Sequence, residues 1–158
     1  AATGTFAMAR IDGIALYPGR RFLVSLPPGE DLVASIERFC RQEGLVMATF
    51  QVTGNLSSVI VGCYDTTQQV FATHRIEADL DIVSCEGTIR LKADTAVADA
   101  RILVSDLEGN LIAGRLFGPT PIHRAETILT EYRDPAPDRS VDPVTGLPVW
   151  QNAFSSPP

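Results

Sequence analysis

The sequence predicts an α+β fold in which a mostly antiparallel β-sheet packs against one main α-helix. Most of the chain between residues 45 and 130 consists of segments rich in Val, Ile, Phe and Thr, separated by turn residues. This is the pattern of successive antiparallel strands. A single stretch, Leu32 to Cys40, has apolar residues recurring at helical spacing. One helix beside such a set of strands indicates an α+β domain.

A strand and the helix come first. Apolar and other side chains alternate over residues 22–26, which predicts a strand with at least one buried face, and the Pro-Pro-Gly at 27–29 ends it. Glu30 and Asp31 are predicted to lie in the first helical turn, where the helix macrodipole favours negative charge. Gly44 is predicted to end the helix.

Four strands are predicted to follow the helix. They are Leu45 to Thr53, Leu56 to Tyr64, Val70 to Ile76 and Leu80 to Lys92. Gly54-Asn55 and residues 65–68 are predicted to separate strands. Glu86-Gly87 is predicted to form a β-bulge in the last of them, which would re-aim Asp81 or Glu86 toward the next hairpin.

Residues 100–117 predict a β-hairpin that carries charge on its inner face. Asp106-Leu107-Glu108-Gly109 suits a type I turn closed by a left-handed glycine, the common three-residue hairpin loop. The loop pairs Asp106 with Asn110, and counting outward places Arg101 directly opposite Arg115. Like charges at opposite positions destabilise a sheet by roughly 0.2–1 kcal/mol. We therefore expect carboxylates, solvent or a bound anion beside these two arginines.

Two interpretations of the paired arginines remain open. In the structural one, Asp99, Glu86, Asp81 or Glu126 neutralises them in a salt-bridge network. In the functional one, two planar guanidinium forks face one cavity and bind a carboxylate or a phosphate. His123 is the better site candidate of the two histidines, because it lies beside Arg124 and Glu126 in one predicted strand. The candidate ligand-binding residues are Arg101, Arg115, Asp99, His123 and Glu126.

The same part of the chain resembles the plants and prokaryotes conserved (PPC) domain. Members typically carry a His-x-His segment leading into Ser-Asp-x-x-Gly, then Gly-Gly-His-Leu, then an Ala-Glu strand. The matching residues here are Val104-Ser105-Asp106 with Gly109, Gly114 with Leu116, and Ala125-Glu126. Asp99, Arg101 and Arg115 stand where the family has histidines, and Ala113 replaces a glycine. With upstream matches, the resemblance spans roughly Arg20 to Tyr132.

The resemblance implies a homotrimer with a DNA-binding or transcription-related regulatory role. It also implies a relation in fold to acetolactate decarboxylase, which uses histidine-bound zinc. Arginine cannot coordinate zinc, and Asp99 alone cannot supply the usual three or four protein ligands. The sequence therefore predicts no metal and no cofactor.

Charge and composition restrict the partners and the compartment. The net charge is −6 and the sequence pI is about 4.8, which argues against a general nucleic-acid surface. The three cysteines, Cys40, Cys63 and Cys85, are predicted to be buried free thiols in a reducing cytosol. We find no apolar run of the ~20 residues that a membrane helix needs and no signal-peptide pattern. We therefore expect a cytoplasmic protein without a membrane partner.

The last residues differ in composition from the rest of the chain. Six of the eleven prolines follow Asp134, so regular structure is predicted to stop near Tyr132. This extended Pro-rich tail nevertheless holds Leu147, Val149, Trp150 and Phe154. We divide the chain into a PPC-like domain, 1–133, and a tail, 134–158, that docks on its own or, preferably, on a neighbouring subunit.

Three classes of function remain open. The first is a non-catalytic homotrimeric PPC domain that binds DNA or a regulatory protein. The second is a small-anion-binding module that uses Arg101 and Arg115. The third is an enzyme with its pocket at those residues, although fold resemblance does not imply function.

Overall fold

The computed structural model describes Met8, Ile11 and residues 13–133 and 139–150. Within these residues the chain forms a six-stranded antiparallel sheet, one α-helix and a separate two-stranded hairpin. The elements are β1 (Pro18–Leu26), α1 (Leu32–Glu43), β2 (Met47–Asp65), β3 (Val70–Lys92), β4 (Thr95–Ser105), β5 (Leu111–Phe117), β6 (Ile122–Tyr132), β7 (Arg139–Val141) and β8 (Pro148–Trp150). The predicted α+β fold is confirmed.

The sheet has the strand order β1-β6-β2-β3-β4-β5 and closes on itself through β2. The first half of β2 pairs with β6, and its second half pairs with β5, while β3 pairs along most of its length. Strand β2 is therefore central to the sheet, because it pairs with β3, β5 and β6 and closes β2, β3, β4 and β5 into a ring.

The prediction of four separate strands after the helix is wrong, because β2 and β3 are each continuous through the expected break. Gly54 lies inside β2 at a φ of 135°, in a register irregularity between Gln51 and Gly54. A side chain at Gly54 would collide with the backbone carbonyl of Arg124 in β6. The glycine therefore bends the strand against its neighbour instead of ending it.

The predicted bulge at Glu86-Gly87 is also wrong. Both residues are in regular register with β2 and β4, and the irregularity of β3 against β4 lies between Ile82 and Ser84. Gly87 lies opposite Phe50, whose ring occupies the space that a side chain at Gly87 would fill. Close packing of the Phe50 ring against the backbone therefore explains why residue 87 is a glycine.

Helix α1 is held by its two caps. Asp31 is the N-cap residue and Glu30 precedes it, so both lie before the first turn rather than within it as predicted. One carboxylate oxygen of Asp31 accepts a hydrogen bond of 2.9 Å from the backbone N–H of Ala34. The other oxygen accepts one of 2.6 Å from Thr120, which ties the helix to the β5–β6 loop. Gly44 ends the helix in the left-handed conformation, as predicted.

The hydrophobic core lies between α1 and the sheet. Leu32, Ile36 and Cys40 of the helix are buried against it, and Cys85 of β3 is buried as well. Burial raises the pKa of the Cys40 and Cys85 thiols to about 12. Cys63 is exposed, so the prediction of three buried thiols is wrong for that residue, which lies near the end of β2.

Part of the C-terminal tail is structured. The six-stranded sheet ends with β6 at Tyr132, as predicted, but regular structure does not stop there. Strands β7 and β8 form a further hairpin in the tail. The hydroxyl of Tyr64 donates a hydrogen bond to the carbonyl of Thr145, and the Gln69 amide donates one of 3.3 Å to Val144. The hairpin is therefore tied to its own chain. Phe154 lies outside the described residues, and docking of the tail on a neighbouring subunit stays a prediction.

Candidate functional site

The β4–β5 hairpin has the predicted register. Asp106 and Asn110 are hydrogen-bonded across the loop at 3.1 Å, Gly109 has a φ of 83°, and Arg101 lies directly opposite Arg115. The Asp106 carboxylate also binds the Asn110 side chain at 3.0 Å. This hydrogen bond, together with those from backbone N–H groups of the loop, lowers the pKa of Asp106. The loop thereby fixes the arginine pair from local sequence alone.

Alternation along β4 separates the core from a groove. Ala100, Ile102 and Val104 are buried in the core, so the intervening side chains of Asp99 and Arg101 point to the other face. There they line an open groove of about 1200 Å³ that runs across the sheet. Apolar parts of its wall come from Phe71, Ile128, Leu147, Pro148 and Val149.

One carboxylate serves two of the arginines at this groove. A terminal nitrogen of Arg115 lies 3.3 Å from Oδ1 of Asp99, and a terminal nitrogen of Arg139 lies 3.0 Å from Oδ2. The Arg115 guanidinium also lies over the rings of Phe71 and Phe117, at 5.0 and 5.7 Å from their centroids. These contacts hold Arg115 in place and use both oxygens of Asp99.

Arg101 lacks such a partner among the described residues. No carboxylate there lies within 4.0 Å of its guanidinium, although Glu86 is its direct neighbour across β3 and β4. Its side chain is exposed to the groove. The structural network expected from the sequence therefore forms around Arg115 and leaves Arg101 available.

The structure brings together three of the five predicted site residues, Asp99, Arg101 and Arg115. The other two lie on β6: His123 is exposed, and Glu126 lies 3.7 Å from Arg124 in a second, smaller cleft. Neither lines the groove, because both lie near the start of β6, whereas the β6 residues that line it, Ile128 and Thr130, lie further along the strand. Asp81 lines the second cleft too, so among the proposed neutralising carboxylates only Asp99 contacts the arginine pair.

Sequence reasoning missed Arg139. Its side chain is only 14% exposed and its guanidinium lies 4.1 Å from the centre of the Trp150 ring. It reaches Asp99 across forty positions of sequence, which no local pattern reveals. The single available signal was a tryptophan in a proline-rich tail.

A family model described as the Plants and Prokaryotes Conserved (PCC) domain matches residues 15–133. The chain belongs to this family. The PCC domain is the plants and prokaryotes conserved domain, also abbreviated PPC. No match was found among curated proteins.

Solved structures share the PCC fold. A metal-containing protein from Archaeoglobus fulgidus is 26% identical, with a TM-score of 0.82 over 90% of this chain and 99% of its own. A PPC protein from Pyrococcus horikoshii is 24% identical, with a TM-score of 0.82 over 90% and 97%. A Ralstonia eutropha protein named "putative DNA-binding protein" is 23% identical, with a TM-score of 0.71 over 80% and 88%.

The groove of this PCC chain does not have the donor set of a metal site. Its polar end holds Asp99 with Arg101, Arg115 and Arg139, and guanidinium groups have no lone pair to give a metal. Within residues 13–133 and 139–150, no three His, Cys, Asp or Glu side chains cluster as metal ligands. The same residues include no helix long and apolar enough to cross a membrane.

Proposed function

We propose that this PCC-domain protein is a non-catalytic binding protein that captures a small anion, a carboxylate or a phosphate, at Arg101 and Arg115. The observation that carries the proposal is the arginine pair itself, held opposite across β4 and β5 with one contacting carboxylate, Asp99, which Arg139 shares. Guanidinium stays charged at any physiological pH, so the pair is neutralised best by an added anion.

The residues at the groove support binding rather than catalysis. Asp99, Arg101 and Arg115 occupy positions where the family motif typically has histidines, which could act as bases or metal ligands. Arginine supplies a fixed planar fork that matches two oxygens of a carboxylate or phosphate. The position is thus suited to holding charge and poorly suited to moving protons.

A thermal-shift screen with acetate, benzoate, succinate and inorganic phosphate, each with and without zinc, tests the proposal. We expect at least one anion to raise the melting temperature by several degrees at about 100 times its Kd, with no dependence on zinc. Arg101→Leu should lose the shift, while Arg75→Leu, an exposed arginine outside the groove, should keep it. A shift that needs zinc, or that survives Arg101→Leu, would contradict the proposed site.

We further propose a homotrimer in the cytoplasm. Support for self-association comes from Leu23 of β1, a large apolar side chain that is 75% exposed. We expect sedimentation at micromolar concentration to give three times 17.0 kDa, and Leu23→Glu to weaken assembly. Leu107→Glu, at the 85%-exposed tip of the β4–β5 hairpin, is the matched control. A wild-type monomer would refute the trimer.

Binding of DNA is the second candidate, because a relative carries that name. The net charge of −6 opposes it, since phosphate-backbone affinity comes mainly from clustered Lys and Arg. Titration with duplex DNA at two salt concentrations separates the two functions. We expect no complex at about 150 mM salt, whereas tight binding that weakens steeply with salt would favour the DNA function.

A further inference from the structure

We propose that the β7–β8 hairpin is a cover of the arginine groove, with Arg139 as a third anion-binding residue, and that the ligand is a small organic dianion with an apolar body. The inference deepens the proposed function and rests on it. It goes beyond the anion site at Arg101 and Arg115 by assigning a class of ligand and by giving the β7–β8 hairpin a part in binding.

The setting of Arg139 is that of a binding residue. Its side chain is 14% exposed, packed over Trp150, and donates to Asp99 from one terminal nitrogen only. Its Nε is buried and has no hydrogen-bond partner among the described residues. Buried donors are normally paired, so this guanidinium has donor capacity left for a ligand in the groove.

The β7–β8 hairpin spans the groove between two anchors. On one side Tyr64 and Gln69 hold its turn through the carbonyls of Thr145 and Val144. On the other side Arg139 reaches Asp99 of β4. Between the anchors, Leu147, Pro148 and Val149 form part of the groove wall. The hairpin is therefore placed to contact whatever the groove holds.

Charge determines the valence of the ligand. Arg101, Arg115 and Arg139 bring three positive charges to the groove, and Asp99, which Arg115 and Arg139 share, is the one carboxylate within 4.0 Å of any of them among the described residues, so these four groups have a net charge of +2. Arg21 and Asp142 also line the groove, and their charges offset each other. Glu86 faces Arg101 across the strands, but it forms no ion pair within 4.0 Å. A dianion, either a phosphate monoester or a dicarboxylate, matches this excess better than a monoanion.

The apolar wall determines the rest of the ligand. The groove of about 1200 Å³ is far larger than a bare phosphate, and its wall includes Phe71, Leu103 and the hairpin residues. An apolar body attached to the charged end would cover this surface and contact the hairpin. Phenyl phosphate and phthalate are the probes for a phosphate monoester and a dicarboxylate. Benzoate is the control with an apolar ring but a single negative charge, and inorganic phosphate is the control without an apolar group.

Trp150 provides the test, because it is the single tryptophan of the chain and stacks on Arg139. Acrylamide quenching of its fluorescence is measured with each probe in wild type, Arg139→Gln and the exposed control Arg75→Gln, alongside the affinity of each probe. We expect phenyl phosphate or phthalate to reduce quenching about twofold in wild type and Arg75→Gln. Arg139→Gln should weaken binding about tenfold and abolish the protection. Arg139→Lys, which keeps the charge without the fork, should bind with intermediate affinity.

The outcomes separate this inference from the proposed function. If a dianion binds in an Arg101-dependent way but Trp150 quenching and Arg139→Gln affinity do not change, the cover is refuted and the anion site stands. If benzoate binds as tightly as phenyl phosphate and phthalate, the dianion assignment is refuted. If no probe binds wild type, both proposals fail together.

Discussion

Asp99 is the residue on which the chemistry of the groove depends. Its two oxygens are shared between Arg115 and Arg139, at 3.3 and 3.0 Å, so it fixes both guanidinium groups and neutralises one charge. Arg101 lies opposite Arg115 and outside this ion-pair chain. The two arginines of one predicted pair therefore have different roles, Arg115 mainly structural and Arg101 mainly free to bind.

This difference gives a prediction about stability without ligand. Arg115→Leu should cost about 1–3 kcal/mol, because it removes a half-buried ion pair and the stacking on Phe71 and Phe117, while Arg139 still pairs with Asp99. Arg101→Leu should change stability by less than about 0.5 kcal/mol, since it also relieves like-charge repulsion. Urea unfolding of both variants measures this. An equally large loss for Arg101→Leu would place it in the structural network.

At the scale of elements, the bend of β2 at Gly54 decides how three strands meet. The residue allows β2 to leave its register with β3, stay paired to β6 and then reach β5. The sequence did not show this, because a glycine followed by asparagine has the same local signature in a turn and in a bulge. Which one forms depends on Arg124 of β6, seventy positions away.

We predict that Gly54→Ala costs more than about 2 kcal/mol in the free energy of unfolding. The added Cβ collides with the Arg124 carbonyl, and alanine is strained at a φ of 135°. Gly29→Ala is the matched control, since Gly29 has a φ of 84° with open space around it and should lose only about 1 kcal/mol. Equal losses in denaturant unfolding would show that packing at Gly54 is unimportant.

The β4–β5 hairpin shows what local sequence can predict. Its loop, its register and the facing arginines follow from Asp106 to Asn110 and from counting outward, and all are confirmed. The helix caps are equally local. Gly44 is confirmed as the residue that ends the helix, whereas Asp31 is the N-cap residue just before the first turn and not part of it. In each case the decisive hydrogen bonds join residues within a few positions of one another.

For the whole molecule, what could not be predicted involves pairing between distant segments. His123 and Glu126 lie near the start of β6 and outside the groove, which the later β6 residues Ile128 and Thr130 line, although sequence motifs suggested that they belong to one site. The β7–β8 hairpin and its Arg139 are held at the groove by contacts to β2, to the turn between β2 and β3, and to β4. The sequence thus located Asp99, Arg101 and Arg115, the part of the candidate site carried by the β4–β5 hairpin, and missed Arg139.

The most direct test of the central claim is a calorimetric titration of wild type, Arg101→Leu and Arg75→Leu with phenyl phosphate. The anion groove predicts one ligand per chain in wild type and in Arg75→Leu. Arg101→Leu should bind phenyl phosphate at least about tenfold more weakly, because it loses the charge-assisted hydrogen bonds of the guanidinium group. Absence of binding to wild type, or equal affinity in Arg101→Leu, would contradict the account.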